Sequence, residues 1–325
     1  MHDKFDHEVS VALCTYNGAR HLSEQLESIA RQTLLPAELV ACDDGSSDAT
    51  IEILNDFSRR VPFPVRIVRN LEKLGSTRNF EKAIGLCRGQ LIALCDQDDW
   101  WEPMKLEILS SRLNLSNAGG IFSDGFLMDE NSQLTGSTLW AANLFAARKA
   151  QFLEPYRRER AVAELLKRNV VTGATVLIRS QLRSLLFPIP SEWVHDGWLA
   201  WMMVLRSSLL ACPEKLIRYR IHASQQVGMP PKSGRARLQR ARLFDADVYR
   251  SQERQYHLLS EYAKSHPEVC NSELCRSIDG KRKFAAFRAE IASVKGTAWS
   301  RIVTRHTAYR LYAQGWRSML KDALR

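Results

Sequence analysis

Apolar and polar positions follow two rhythms along this chain, and the switching between them outlines a fold. Val9 to Cys14, Leu39 to Cys42, Val65 to Val68 and Leu91 to Cys95 are short apolar runs of strand length. Between them Leu22, Leu26, Ile29 and Ala30 recur at helical spacing within Ala19 to Arg31. Ile51, Ile53, Leu54 and Phe57 do the same behind a Gly-Ser-Ser turn, where Asp48 can cap a helix. Thr77 to Cys87 and Pro103 to Leu115 read as two more helices, the latter with proline near its first turn. Strands separated by helices of this length predict βαβ units and a mostly parallel, Rossmann-like sheet flanked by helices. Ligands of such sheets bind at the carboxyl ends of the strands.

After Gly119-Gly120 the rhythm becomes mixed. Ile121-Phe122 is followed by a turn at Asp129 to Ser132, an Arg-rich helical stretch around Tyr156 to Lys167, and a strand over Ala174 to Ile178. Pro188-Ile189-Pro190 punctuates the chain. A helix holding His195-Asp196-Gly197-Trp198 then runs to about Arg206, and strand-like Leu209-Leu210 and Leu216 to Ile221 deliver His222. Gly228-Met229-Pro230-Pro231 is the best boundary, separating a domain over residues 1–229 from a helical, basic extension over 230–325. No internal repeat is found.

The polar clusters fall after strands, where a parallel sheet would place its site. Cys14-Thr15-Tyr16-Asn17-Gly18 follows the first strand, Asp43-Asp44-Gly45-Ser46 the second and Asp96-Gln97-Asp98-Asp99-Trp100 the fourth. Two Asp side chains flanking one residue at a strand end can both reach one hard cation. Mg²⁺ or Mn²⁺ is usually held by one or two carboxylates plus substrate phosphates, so the implied ligand carries phosphate. The bland alternative for an isolated Asp-X-Asp is a solvated acidic turn.

Composition narrows the picture. With 325 residues, 45% apolar and 25% charged, the chain is that of a folded globular protein with a substantial core. The longest uncharged apolar stretch, Gly197 to Leu205, is far short of the roughly 20 residues that span a bilayer. Met1 to Glu8 is charged and lacks the apolar region of a secretory signal. Seven cysteines, an odd number without a CxxC pair, read as reduced core thiols, and a cytoplasmic location is expected. The net charge of +10 is lopsided, because Pro231 to Arg325 holds 20 Lys/Arg against 9 Asp/Glu while the preceding residues are nearly neutral. Such a segment predicts an acidic partner, anionic lipid or nucleic acid. No nucleic-acid motif accompanies the charge, so nucleic acid is not expected.

Cys-Thr-Tyr-Asn-Gly, Asp-Asp-Gly-Ser and Asp-Gln-Asp-Asp-Trp, in this order and spacing, resemble family 2 glycosyltransferases, inverting enzymes of the GT-A fold that use nucleotide sugars. Asn70, Leu74-Gly75 and Arg78-Asn79-Phe80 strengthen the resemblance, which covers about residues 9–228. His-Asp-Gly-Trp and Tyr-Arg-Ile-His are most similar to rhamnosyltransferase-like bacterial members that build surface polysaccharides. The resemblance implies that Thr15, Tyr16 and Asn17 line the base pocket, that Asp44 accepts a hydrogen bond from the base, and that Arg78 lies near the diphosphate or ribose. It further implies that Asp96 faces the ribose, that Asp98 binds the metal with His222 close to the metal or diphosphate, and that Asp196 is the catalytic base, with His195 as competitor. Gly173 and Trp198 would shape the sugar and acceptor pockets. The expected partners are a nucleoside-diphosphate sugar donor and a glycan or lipid-linked saccharide acceptor.

Residues 281–321 carry two basic amphipathic stretches. Phe284, Phe287, Ile291 and Val294 form one apolar face, and Ile302, Tyr309, Tyr312, Trp316 and Leu320 form another among arginines. They would either lie on an anionic membrane as a peripheral anchor or pack on the protein and leave a basic surface. Two rival functions are a GT-A-like nucleotidyltransferase, for which Cys14 to Gly18 lacks the Gly-rich basic loop, and a non-catalytic membrane-associated binding protein. Intact Asp96, Asp98 and Asp196 weigh against the second.

Overall fold

The apolar runs become the parallel strands at one end of a single sheet in a computed structural model that describes residues 9–143, 145, 158–222, 246–293 and 299–323. Met1 to Glu8, Val294 and the Gly228 to Pro231 boundary lie outside the described residues. By packing, the chain divides into two units, Met1–Arg158 with Val170–Gln226 and Glu159–Asn169 with Val227–Arg325. Residues 159–169 thus group with the second unit from inside the stretch that the sequence assigns to the first.

In the first unit β1 (Val9–Thr15), β2 (Glu38–Asp43), β3 (Val65–Arg69) and β4 (Leu91–Asp96) pair in parallel in the order β3-β2-β1-β4. Helices α1 (Leu22–Ala30), α2 (Thr50–Ser58) and α3 (Ser76–Leu86) connect them, as the rhythm predicts. Leu22, Leu26 and Ile29 of α1 are buried, as are Leu54 and Phe57 of α2, so each connecting helix covers the sheet with one apolar stripe.

Beyond β4 the sheet is mixed. After β5 (Trp100–Trp101) and α4 (Lys105–Asn114) come β6 (Gly120–Met128), β7 (Leu134–Thr138), α5 (Leu139–Ala142), and, in the second unit, α6 (Arg158–Lys167). β8 (Val176–Arg179), α7 (Arg183–Leu186), α8 (His195–Arg206) and β9 (Leu209–Arg220) complete the first unit. β8 runs antiparallel to both β4 and β6, and β9 runs parallel to β6. The two reversals cancel, so the carboxyl end of β9 emerges on the same sheet edge as that of β4.

Two strands are longer than their patterns. The pattern marks β6 only at Ile121-Phe122, whereas the strand continues through Ser123, Asp124 and Gly125 to Met128. The Asp124 carboxylate is buried there and accepts the backbone N–H groups of Gly125 and Trp140 at 2.8 and 2.9 Å. β9 runs unbroken past Pro213, where its register against β6 shifts between Ser123 and Asp124.

In the second unit α9 (Ala246–Ser265) and α10 (Ser272–Ser293) are long, and α11 (Trp299–Val303), α12 (His306–Tyr312) and α13 (Trp316–Ala323) are short. Phe284, Phe287 and Ile291 of α10 are buried together with Ile302, Tyr309 and Ala313. Among the described residues no helix is long and apolar enough to cross a membrane, and all seven cysteines are free thiols.

Candidate active site

The shared edge brings distant residues together. β4 ends in Asp96, and the following turn is held from behind because Trp100 and Trp101 pair with Arg218 and Ile217 of β9. Two residues past the end of β9, His222 Nε2 lies 2.8 Å from Asp98 Oδ2 across 124 positions of sequence. Asp99 is fully buried; its Oδ1 accepts the Arg220 backbone N–H at 3.0 Å, and its Oδ2 has no hydrogen-bond partner. Burial first, then the charges of Asp98 and Asp96, raise the Asp99 carboxyl well above the usual carboxylate range. The Asp96 carboxyl is pushed up to about 7 by burial, then by Asp98 and by Asp196 in the first turn of α8. The buried Tyr219 phenol is raised by burial and then by Asp99, Asp96, Asp98 and Asp196, so four carboxylates act on one ring. Acids from two separate regions therefore meet at this edge.

Arg220 holds the edge in shape. Its guanidinium is fully buried and donates from Nε to the Asp98 carbonyl at 2.7 Å, from Nη2 to Glu24 Oε2 at 2.8 Å and from Nη1 to Ser132 Oγ at 2.8 Å. One side chain thereby ties the acidic turn to α1 and to the turn after β6, two residues before His222. Lys105, also fully buried, donates from Nζ to the Ala174 carbonyl at 2.6 Å and sits 3.5 Å from the Trp101 ring centroid. Burial pushes its ammonium down to about 7. The His21 ring lies 5.5 Å from that of His222, and its buried Nε2 has no hydrogen-bond partner. The sequence reading missed Arg220, Lys105 and His21. Only Arg220 carried a signal, as the second residue of Tyr-Arg-Ile-His.

The loops after β1 and β2 build a second wall. Tyr16 N–H donates to Gln97 Oε1 at 2.8 Å while Gln97 Nε2 donates to the Tyr16 carbonyl at 3.0 Å, locking this loop to the acidic turn. A Cβ on Gly18 would lie 2.2 Å from Gln97 Oε1, so a side chain here would push Gln97 out of these two hydrogen bonds. Asp43 accepts from Thr15 Oγ1 at 2.9 Å and from the Ser46 N–H at 2.8 Å. Asp44 accepts from Asn70 Nδ2 at 2.9 Å, Leu74 N–H at 2.7 Å and Gly75 N–H at 2.8 Å, which folds the 70–75 loop around it. Thr15 and Asp44 thus have scaffold partners. Half-buried Tyr16 has Lys73 Nζ 3.8 Å from its ring centroid, and exposed Asn17 accepts the Ser47 N–H at 2.8 Å.

The other expected residues have local partners of their own. Arg78 pairs with Glu81 of its own helix at 2.6 Å. Trp198 is buried, and its indole N–H donates to the Leu186 carbonyl at 2.8 Å. His195 is buried, stacked on Phe80 at 4.1 Å, with neither ring nitrogen hydrogen-bonded. Burial pushes its imidazole down to about 3. A Cβ on Gly173 would lie 2.5 Å from His195 Nε2, so this glycine makes room for the histidine.

Among the described residues no three His, Cys, Asp or Glu side chains gather into a metal-binding group. Asp98 Oδ2 and His222 Nε2, 2.8 Å apart, fit adjacent ligands on an octahedral ion with bonds of about 2.1 Å, the remaining positions being left to phosphate and water.

This mixed sheet, with acidic loops at the carboxyl edge of its parallel half, defines an α/β fold of the GT-A kind. The chain belongs to glycosyl transferase family 2, whose model matches residues 10–182, more than half of its length. An uncharacterised protein of Mycobacterium tuberculosis is 26% identical over 226 residues, which cover 66% of this chain and 59% of that protein. WfgD of Escherichia coli, a UDP-Glc:alpha-D-GlcNAc-diphosphoundecaprenol beta-1,3-glucosyltransferase, is 25% identical over 223 residues, 67% of this chain and 79% of that enzyme. The match thus spans less than two thirds of the first of these relatives. The structure is similar to that of S. aureus TarS 1–349, with a TM-score of 0.58 at 14% identity over 94% of this chain and 81% of that one. The same fragment in complex with UDP-GlcNAc gives 0.54 at 15% identity, covering 96% and 92%. At such identity the likeness establishes the fold.

Proposed function

We propose that the protein is an inverting glycosyltransferase that moves a sugar from a nucleoside diphosphate to a glycan or lipid-linked acceptor in bacterial polysaccharide synthesis. The observation that carries this reading is the Asp98–His222 contact beside Asp96 at one sheet edge, with the Asp196 charge adding to the rise of the Asp96 carboxyl. Asp98 and His222 would hold Mg²⁺ or Mn²⁺ together with the donor diphosphate, supplying neutralisation of the leaving group's charge. Asp196 takes the proton from the acceptor hydroxyl as it attacks the anomeric carbon, a role contributing about 10² to 10⁴-fold. His195, its competitor for that role, is stacked and buried with its basicity strongly reduced, which favours Asp196. Asp96 is proposed for the ribose, and Tyr16 and Asn17 for the base. The His-Asp-Gly-Trp and Tyr-Arg-Ile-His motifs favour a deoxyhexose such as rhamnose as the donor sugar.

A thermal-shift screen of UDP-, dTDP- and GDP-sugars with and without Mn²⁺ tests the reading. A nucleotide sugar should stabilise the protein in a metal-dependent way, and Asp98→Ala should lose that dependence. Asp196→Asn should keep the donor-induced shift while transfer falls at least about 10²-fold. Absence of any donor shift, or near-native transfer by Asp196→Asn, rejects the assignment.

A further inference from the structure

The last three helices separate their apolar residues into two sets. Ile302 and Tyr309 are fully buried against Phe284, Phe287 and Ile291, with Tyr312 and Met319 packed on the same cluster. Of the two alternatives for the second apolar face, Ile302, Tyr309 and Tyr312 therefore take the inward, packed one. A different set remains outside: Val303 and Leu311, each 52% exposed, Trp316 at 68% and Leu320 at 41%. Leu311 follows Tyr309 by two positions, about 200° round a helix, and so points away from that core. Trp316 and Leu320 are four apart and share one stripe of α13.

Charge is separated in the same way. Residues 299–325 contain six Lys/Arg and one acid, Asp322. That acid is buried: both of its oxygens accept from the Arg288 guanidinium at 2.7 Å, and one also accepts from the Tyr309 hydroxyl at 2.7 Å. Nothing negative from this stretch reaches the surface among the described residues. Arg310 and Arg317 have no ion-pair partner among them, and the Arg317 guanidinium lies 5.7 Å from the Trp316 ring centroid.

From this pairing of unmatched arginines with exposed aromatic and aliphatic side chains, we infer that α11 to α13 form a docking surface for an anionic bilayer. A polyanion such as nucleic acid would use the arginines and leave the apolar side chains in water. The boundary between headgroups and acyl chains satisfies both, since tryptophan and leucine enter it while arginine meets lipid phosphate. Each cation held near an anionic leaflet raises partitioning about fivefold. The purpose of the surface rests on the proposed lipid-linked acceptor, near which docking would hold the enzyme.

The test is flotation of the full chain with phosphatidylcholine vesicles, with or without phosphatidylglycerol, at low and high salt. Binding should require phosphatidylglycerol and weaken with salt. The double variant Trp316→Ser/Leu320→Ser should lower partitioning about tenfold or more, and Arg310→Gln/Arg317→Gln about 25-fold, at fivefold per charge. Because the substituted groups are exposed, both variants should keep native circular dichroism. No binding to anionic vesicles, or equal binding by the Trp316→Ser/Leu320→Ser protein, overturns the inference. Binding to short duplex DNA that matches vesicle binding and ignores the Trp316 substitution overturns it in favour of a polyanion partner. Vesicle binding in a chain that shows no nucleotide-sugar thermal shift would preserve the docking surface while rejecting the catalytic reading.

Discussion

The buried acid of the helical unit and the acidic turn after β4 in the sheet unit are satisfied in opposite ways. In the helical unit Asp322 accepts a two-pronged arginine, Arg288, and the hydroxyls of Tyr249 at 3.3 Å and Tyr309 at 2.7 Å. In the sheet unit the buried arginine nearest the acids, Arg220, spends its guanidinium on the Asp98 carbonyl, Glu24 and Ser132. It gives Asp99 only a backbone N–H, and Asp99 Oδ2 stays unmatched. Burying charge is unfavourable unless it is paired and hydrogen-bonded. A satisfied cluster is therefore structural, whereas one left with spare acidic capacity is stable only because the surrounding fold enforces it, as expected where a cation or polar ligand completes the set.

The comparison breaks if the two clusters respond alike to substitution. Asp322→Asn should have the largest effect, lowering stability by about 3 to 5 kcal/mol because it strands the Arg288 guanidinium in the interior. Denaturant unfolding followed by circular dichroism reads this directly. Replacing both partners, Arg288→Met with Asp322→Leu, should recover most of the loss. A double variant as unstable as Asp322→Asn would mean that the pair supplies more than charge compensation.

Arg220→Lys comes next, at about 2 kcal/mol. An ammonium is a point donor and does not span three acceptors that a planar guanidinium reaches together. Because Arg220 shapes the turn bearing Asp98, the variant should also weaken Mn²⁺ binding measured by titration calorimetry. Loss of stability with unchanged metal affinity would confine Arg220 to a structural role.

How far these clusters are legible in sequence differs by region. The parallel half is readable because each apolar run is bounded by turn chemistry and each polar loop follows a strand, so the edge bearing Asp44, Asp96 and Asp98 can be located from pattern. The mixed half is not. Ser123-Asp124-Gly125 breaks the apolar run although Asp124 is buried and hydrogen-bonded, and Pro213 hides the continuity of β9. The Asp98–His222 contact joins residues 124 positions apart through two strand reversals that no local signal encodes. Arg220 is indistinguishable by type from a solvated strand arginine until its burial is known. The apolar stripe of α10 can be read from spacing, but that it is covered by Ile302 and Tyr309 is a tertiary fact.

Asp98→Asn sharpens the comparison from the other side. Removing one of several mutually repelling carboxylates should leave the ligand-free protein within about 1 kcal/mol of native stability, on the native side or above it. The metal-dependent shift with nucleotide sugar should nevertheless disappear. A loss comparable to that of Asp322→Asn would mean that Asp98 is a structural acid, and the contrast between the two units would fail.

Lys281 is the helical unit's own exception and gives the finest test. Its Nζ is buried and donates to the Tyr312 carbonyl at 2.8 Å. Burial, then the Arg288 charge, push its ammonium down to about 7. The unfolded chain keeps a lysine near 10.4, so between about pH 7 and 10 the unfolded state binds the additional proton and folding stability rises with pH. Below pH 7 both states are protonated and this group adds no slope. From pH 7 to 8 the gain should be about 1 kcal/mol or less, and subtracting the profile of Lys281→Met from the native one isolates it from other titrations. A difference profile that is flat, or that falls with pH, would mean that Lys281 stays charged in the interior. The helical unit would then tolerate an uncompensated buried charge just as the sheet edge does, and unmatched charge alone would no longer distinguish a site from a scaffold.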